Sequence, residues 1–307
     1  MTRVLVTGAD GFIGKNLVKT LLLYDNKFEI HTLSRENKAN INNSRNIHFV
    51  DLTNLNYLKQ VVMNINPNII IHLAYSKDRT ENIEIINQDY LLNLQISLNI
   101  IESTRALKSL NKFIFFGSCD EYGLQKKSFE ESQSEQPLTS YGLSKLSITK
   151  TLKALYFNES YPSVIIRPSV VYGEGQDKSM FLPSLVDAIR KKKSFKMTMG
   201  EQYRDYIYID DLIEAIIVLL NNKNLGLGEI INITYGESYL IKKIAVKLAN
   251  LIKNDGELML KIGSINYRKT EVMNYYTSNQ KAKDILGWYP KTSLEVGLKK
   301  IASSFKS

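Results

Sequence analysis

Apolar residues in this chain come in short unbroken runs, separated by stretches where they recur every three or four positions. Val4, Leu5 and Val6 form the first run, and a run without alternation is what a strand buried on both faces carries. Ile13, Leu17 and Leu21, with Val18 and Leu22, follow at helical spacing. The same reading predicts strands at 28–33, 47–50, 68–73, 112–116, 163–167 and 229–233. Helices are predicted at 82–109, 141–156, 181–193, 241–253 and 279–286, with a short strand and a helix behind it over 204–220. This alternation implies an α/β fold, a doubly wound parallel sheet covered by helices on both faces. The stretch 128–136, rich in Ser, Glu and Gln, reads as an exposed loop.

The turn between the first strand and the first helix carries Gly8, Gly11 and Gly14. Glycines there let the backbone bend sharply and approach a pyrophosphate, and the helix start offers free N–H groups and a positive dipole end. At the end of the second strand an acidic residue would hold the ribose hydroxyls of NAD. Ser34 and Arg35 stand there instead, with Lys38 and Arg45 nearby in sequence. A small neutral side chain followed by a guanidinium suits a 2′-phosphate, so the expected cofactor is NADP(H), with NAD as the alternative.

Composition narrows the picture only slightly. At 307 residues, 44% hydrophobic and 23% charged, the chain is one large globular domain or two coupled ones. A single cysteine, Cys119, excludes an internal disulfide and suits a reducing cytoplasm. The chain enters its first strand at once, so no signal peptide is expected, and no apolar run is long enough to span a membrane. The net charge is +9. No nucleic-acid motif accompanies it, and Lys191, Lys192 and Lys193 read as a solvated helix end. A polyanionic small substrate fits the charge better. No metal site is expected.

The chemistry centres on Ser118, Tyr141 and Lys145. Tyr141 and Lys145 are four apart on a predicted helix and face the same way. A nearby ammonium favours the ionised phenol and brings it toward a useful acid/base range. Ser118 follows the fifth strand and can hydrogen-bond the same substrate oxygen. His72 reads as a buried structural imidazole without a catalytic role.

Thr7-Gly8-Ala9-Asp10-Gly11-Phe12-Ile13-Gly14, with Tyr141-Gly142-Leu143-Ser144-Lys145, resembles the signatures of the extended short-chain dehydrogenase/reductase family. This is a group of sugar-nucleotide epimerases, dehydratases and ketoreductases. Arg167-Pro168-Ser169-Val170-Val171-Tyr172-Gly173, the segment 200–211 and Leu286-Gly287-Trp288-Tyr289-Pro290 are similar to further motifs of that family, so the resemblance spans nearly the whole chain. It implies a Rossmann-like NADP-binding domain at 1–173 plus 204–235 and a smaller substrate-binding lobe at 174–203 plus 236–307. For the cofactor it implies contacts from Gly8, Gly11, Phe12, Ile13, Gly14, Ser34, Arg35, Asp51, Leu52, Leu73, Ala74, Asn93, Tyr141, Lys145 and Pro168. Asn93 has the alternative of bridging backbone groups within the core. For the substrate, a nucleotide-diphosphate sugar, it implies Ser118, Cys119, Asp120, Tyr141, Arg204 and Arg268. It also implies a homodimer through a four-helix bundle, and a cytoplasmic enzyme.

The family's reactions differ around Tyr122. Its 4,6-dehydratases follow the active-site Thr with Asp-Glu, where this chain has Ser118, Cys119 and Asp120. Elimination therefore looks impaired. Its 4-epimerases hold NAD permanently, whereas Ser34 and Arg35 suit a dissociable NADP. The segments 200–211 and 267–273 are similar to CDP-abequose synthases and dTDP-4-keto-6-deoxyhexose reductases. The expected reaction is reduction of the C4 ketone of a nucleotide-linked 6-deoxy-4-ketohexose, for surface polysaccharide. A 4-epimerase, a 4,6-dehydratase and a non-enzymatic NADP-sensing module are the alternatives.

Overall fold

The computed structural model describes residues 1–24, 26–35, 46–76, 83–125 and 128–304, apart from the side chains of 83–85. Lys38 and Arg45 lie outside the described residues. In chain order the elements are β1 (Thr2–Thr7), α1 (Phe12–Leu21), β2 (Phe28–Ser34), β3 (Asn46–Phe49), α2 (Leu55–Ile65), β4 (Ile69–His72), α3 (Ile83–Thr104), β5 (Lys112–Phe116), α4 (Ser140–Glu159) and β6 (Ser163–Pro168). Then come β7 (Val170–Tyr172), α5 (Phe181–Arg190), β8 (Phe195–Met197), β9 (Tyr203–Tyr208), α6 (Ile209–Asn221) and β10 (Ile230–Ile233). The chain closes with β11 (Ser238–Leu240), α7 (Ile241–Ile252), β12 (Leu260–Ile262), α8 (Gln280–Leu286) and α9 (Leu294–Ser304). Two compact units result, the first made of Met1–Gly123, Glu135–Arg167 and Ile216–Ile231, the second of the remainder.

The seven-stranded sheet has the order β10-β6-β5-β4-β1-β2-β3. Its pairs β1/β2, β1/β4, β2/β3, β4/β5 and β5/β6 are all parallel. The bonds from Ile165 N–H to Glu229 O and from Ser169 N–H to Ile233 O advance together along both strands, so β10 runs parallel too. Strand order reverses between β1 and β4, and in such Rossmann-like sheets ligands bind at the carboxyl ends of the strands at that point. β4, β5 and β6 are buried along their whole length, as their unbroken apolar runs require. The hydrophobic cluster around them draws on Phe113, Phe115, Ile165 and Ile70 of the sheet and Ile96, Ile100, Ile148 and Leu152 of the helices.

Lys112 begins β5 inside this apolar setting. Its ammonium donates to the carbonyls of Leu219, Asn222 and Leu225 at 2.7, 2.7 and 2.9 Å, closing the C-terminal end of α6. Burial pulls it down to about 8.

In the second unit β11, β9 and β7 form one small sheet and β12 with β8 another. Asp205 on β9 is its hub. The buried carboxylate accepts from Ser169 Oγ, Thr277 Oγ1 and the N–H groups of Tyr235 and Gly236, at 2.7, 2.5, 3.0 and 2.7 Å. Burial raises its pKa against the pull of those four donors.

Candidate active site

Gly8 leaves β1 with φ +69, and a Cβ there would sit 2.6 Å from Ala74 N. Only glycine allows both the left-handed turn and the close approach of the chain after β4. Gly11 precedes α1, whose first turn has no acidic residue and, among the described residues, no side-chain cap. The N–H groups that open α1 can therefore take an anion, and Gly14, buried on its first turn, packs the helix against that same bend.

The chain after β4 is clamped from both sides. Ala74 N–H donates to Thr7 Oγ1 at 3.1 Å. Asn93 accepts from Ser76 N–H at 2.7 Å and donates back to Ser76 O at 2.9 Å. Asn93 thus bridges the backbone of Ser76. Leu73 and Ala74 lie half-buried between these clamps. His72 is buried, with Nδ1 2.7 Å from Thr7 Oγ1 and Nε2 3.1 Å from Ser97 Oγ. Burial first, and the Lys145 charge second, push its imidazole down to about 3.

At the end of β2 the Ser34 hydroxyl donates to Asp10 Oδ2 at 2.7 Å. Arg35 beside it is exposed. Asp51, also exposed, accepts from the N–H and hydroxyl of Thr53, and these bonds, aided by Arg35, hold its carboxyl below the usual range. Leu52 belongs to the core cluster. Nothing in the sequence singles out Asp10, since its spacing from Ser34 carries no pattern.

β5 runs into Gly117 and Ser118, and a single 3-10 turn, Cys119–Glu121, follows. Ser118 Oγ accepts from Asp120 N–H at 3.1 Å, and Ser118 N–H donates to Glu121 Oε1 at 2.9 Å, a reciprocal cap. The hydroxyl keeps a proton to donate. Thr139 caps α4 by accepting from Gly142 N–H at 3.0 Å. A Cβ at Gly142 would fall 2.6 Å from Asp120 O, so glycine lets the first turn of α4 press on the Ser118 turn. Tyr141 stands beside Gly142 on that first turn. Lys145 is 3% exposed, and its ammonium donates to Phe116 O at 2.6 Å, on the strand that delivers Ser118. The ammonium lies 5.9 Å from the Tyr141 ring centroid.

Beneath the turn is a buried ion pair that sequence reading missed. Arg167 donates to Glu121 Oε2 from Nε at 3.0 Å and from Nη2 at 2.6 Å, and Nη2 also reaches Glu135 at 2.8 Å. Arg167 and Glu121 side chains are both fully buried. Burial raises the Glu121 carboxyl and the Arg167 charge pulls it back. Pro168 closes β6 directly after this arginine.

Cys119, placed among the substrate contacts by the resemblance, is fully buried as a packing thiol is, and its Sγ lies 3.4 Å from Arg167 O. The 3-10 turn points it into the core, whereas Asp120 is half-buried. In the second unit Arg204 forms an ion pair with Glu271 and donates to Tyr203 O at 2.7 Å, with its guanidinium 5.5 Å from the Tyr275 ring. Arg268 is exposed, and its carbonyl accepts from Glu271 N–H at 3.1 Å, so one turn links the two arginines.

Residues 4–234 match the sequence profile of the NAD dependent epimerase/dehydratase family. The chain is 27% identical over 318 residues to a human dTDP-D-glucose 4,6-dehydratase, covering 97% of this chain and 88% of that one. It is 28% identical over 305 residues to the CDP-abequose synthase of Salmonella typhimurium, covering 97% and 96%. In fold it resembles a UDP-glucuronic acid 4-epimerase from Bacillus cereus, solved with UDP-glucuronic acid and NAD. The TM-score is 0.87 at 24% identity, over 99% of each chain.

Proposed function

Since the chain belongs to the NAD dependent epimerase/dehydratase family, we propose that it reduces the C4 ketone of a nucleotide-linked 6-deoxy-4-ketohexose with NADPH. The observation that carries this reading is the side chain after Ser118. Where the family's dehydratases place the acid for elimination, this chain buries Cys119 in its core. Ser118, Tyr141 and Lys145 remain for a simple carbonyl reduction.

The residues present fit a nicotinamide dinucleotide. The bend at Gly8 has no room for a side chain, and the start of α1 offers unopposed N–H groups for a pyrophosphate. When bound, the cofactor supplies the hydride that goes to C4. Tyr141 then gives its phenolic proton to the ketone oxygen, and Ser118 donates a hydrogen bond to that oxygen. Lys145 holds the cofactor ribose and favours the tyrosinate left behind. Arg35 is assigned to the 2′-phosphate, and Arg204 and Arg268 to the substrate diphosphate, for which Arg204 must share or release Glu271.

NAD is a second reading of the cofactor, and Asp10 favours it. Its carboxylate at the end of β2 is the charge that accepts ribose hydroxyls and repels a 2′-phosphate. A homodimer is part of the proposal as well. Leu91 and Leu98 on α3, and Leu143 and Phe157 on α4, are 63, 43, 46 and 73% exposed, an apolar stripe on the helices assigned to the bundle. Among the described residues no helix is long and apolar enough to cross a membrane; a cytoplasmic place in activated-sugar synthesis is the setting proposed.

Tyr141→Phe tests the assignment. The ring stays, so fold and cofactor binding should persist, while reduction of a freshly made 4-keto-6-deoxy nucleotide sugar should slow by about a hundredfold to ten-thousandfold. Turnover at the unmutated rate would remove Tyr141 from the mechanism.

A further inference from the structure

Tyr75 follows Leu73 and Ala74 in the clamped chain after β4, and its ring lies against the catalytic lysine. The Lys145 ammonium is 3.6 Å from the Tyr75 ring centroid, closer than to Phe115 at 4.9 Å or Tyr141 at 5.9 Å. The Tyr75 hydroxyl donates to Ser144 Oγ, one residue before Lys145 on α4. The Tyr75 and Tyr141 rings meet edge to face, 5.5 Å apart at 85°. Both chain neighbours of Tyr75 are fixed, Ala74 by Thr7 and Ser76 by Asn93. One side chain therefore touches both α4 groups of the site, from a backbone that has little freedom to move.

We propose that Tyr75 is a positioning residue, whose ring face holds the Lys145 ammonium against Phe116 O and whose edge sets the Tyr141 ring. Burial pushes the Tyr75 phenol well above the ordinary range, so it stays protonated and exchanges no proton with substrate. Its contribution is the negative face of the ring, which attracts a cation most strongly where water is scarce. Among the described residues, the other titratable groups around this cluster are His72 on β4, Asp89 and Tyr90 on α3 and Glu121 on the 3-10 turn. The inference rests on the reading that Lys145 holds the cofactor and Tyr141 carries the proton.

The test uses Tyr75→Phe, which keeps the ring, and Tyr75→Met, which keeps the bulk without it. Tyr75→Leu serves as the second ring-less variant if Tyr75→Met does not fold. NADPH and NADH are titrated by calorimetry, and the pH–rate profile of ketone reduction is recorded. Tyr75→Phe should bind cofactor as the unmutated protein does. Tyr75→Met should bind about tenfold more weakly, the loss of a desolvated cation–π contact. Its alkaline limb should also move to higher pH, because a loosened ammonium stabilises the tyrosinate less. In a Lys145→Met background the same substitution should change cofactor affinity little, since the group it acts through is gone. Equal losses in both backgrounds, an unmoved limb, or a Tyr75→Phe as weak as Tyr75→Met would each overturn the proposal. If the unmutated protein binds neither dinucleotide, the underlying reading fails, and the role of Tyr75 with it.

Discussion

Ser118 is fixed from two directions, by Asp120 N–H on its oxygen and by Glu121 on its own N–H. On the proposed reading this hydroxyl adds one neutral hydrogen bond to the substrate, so Ser118→Ala should cost less in rate than Tyr141→Phe. Lys145→Ala should damage turnover and cofactor affinity together in steady-state kinetics. At the end of β2, Arg35→Ala should weaken NADPH by about tenfold to a hundredfold while NADH changes little, because only NADPH carries the 2′-phosphate. Equal loss for both, read by calorimetry, would move the assignment to Asp10 and NAD. The Tyr141–Lys145 pair was legible in the sequence because both lie on one helix at a fixed spacing. Glu121 and Tyr75 were not, since their partners Arg167 and Ser144 stand 46 and 69 positions away. Sequence spacing has no means of announcing contacts that only the sheet creates.

β4, β5 and β6 could be read almost residue for residue, because burial on both faces forces unbroken apolar runs. Two helices, α2 and α9, were not predicted. The signal for α2 was present: Asn54 caps it by accepting from Tyr57 N–H, and Leu58, Val62 and Ile65 form its buried face. Helix α9 keeps only Leu294, Gly297, Leu298 and Ile301 buried, a narrow stripe in a lysine-rich segment. His72 joins β4 to β1 and α3 through its two hydroxyl partners, and this makes the junction sensitive to acid. Its folded value near 3 lies below the ordinary 6.5, so the unfolded chain binds the proton first as pH falls. The stabilising contribution is complete above pH 6.5 and is lost on the way down toward 3. The slope is about 1.4 kcal/mol per pH unit. His72→Gln should be less stable than the unmutated protein near neutrality, and the gap should narrow in acid. Urea unfolding across that pH range measures it; a gap that widens would contradict the role.

The chain carries a net charge of +9 and a Rossmann-like sheet whose strand order reverses at β1 and β4, a combination suited to two anionic ligands. If the exposed leucines of α3 seat a second copy, the protein should sediment as a dimer at micromolar concentration. Leu91→Asp combined with Leu98→Asp should then give a folded monomer; a monomeric unmutated protein would end the proposal. The family's reactions share this framework and differ in what happens to the hydride, so the bookkeeping of the cofactor separates them. The deciding measurement is the stoichiometry of NADPH oxidised to sugar converted, with a 4-keto-6-deoxy nucleotide sugar offered in one reaction and a nucleotide hexose in another. A ketoreductase oxidises one NADPH for each 4-keto sugar consumed and leaves the hexose untouched. Release of a 4-keto sugar from the hexose without net NADPH use would show that Cys119 and Asp120 do not exclude dehydration, release of an epimer would show that Ser34 and Arg35 do not exclude epimerisation, and either result would contradict ketone reduction.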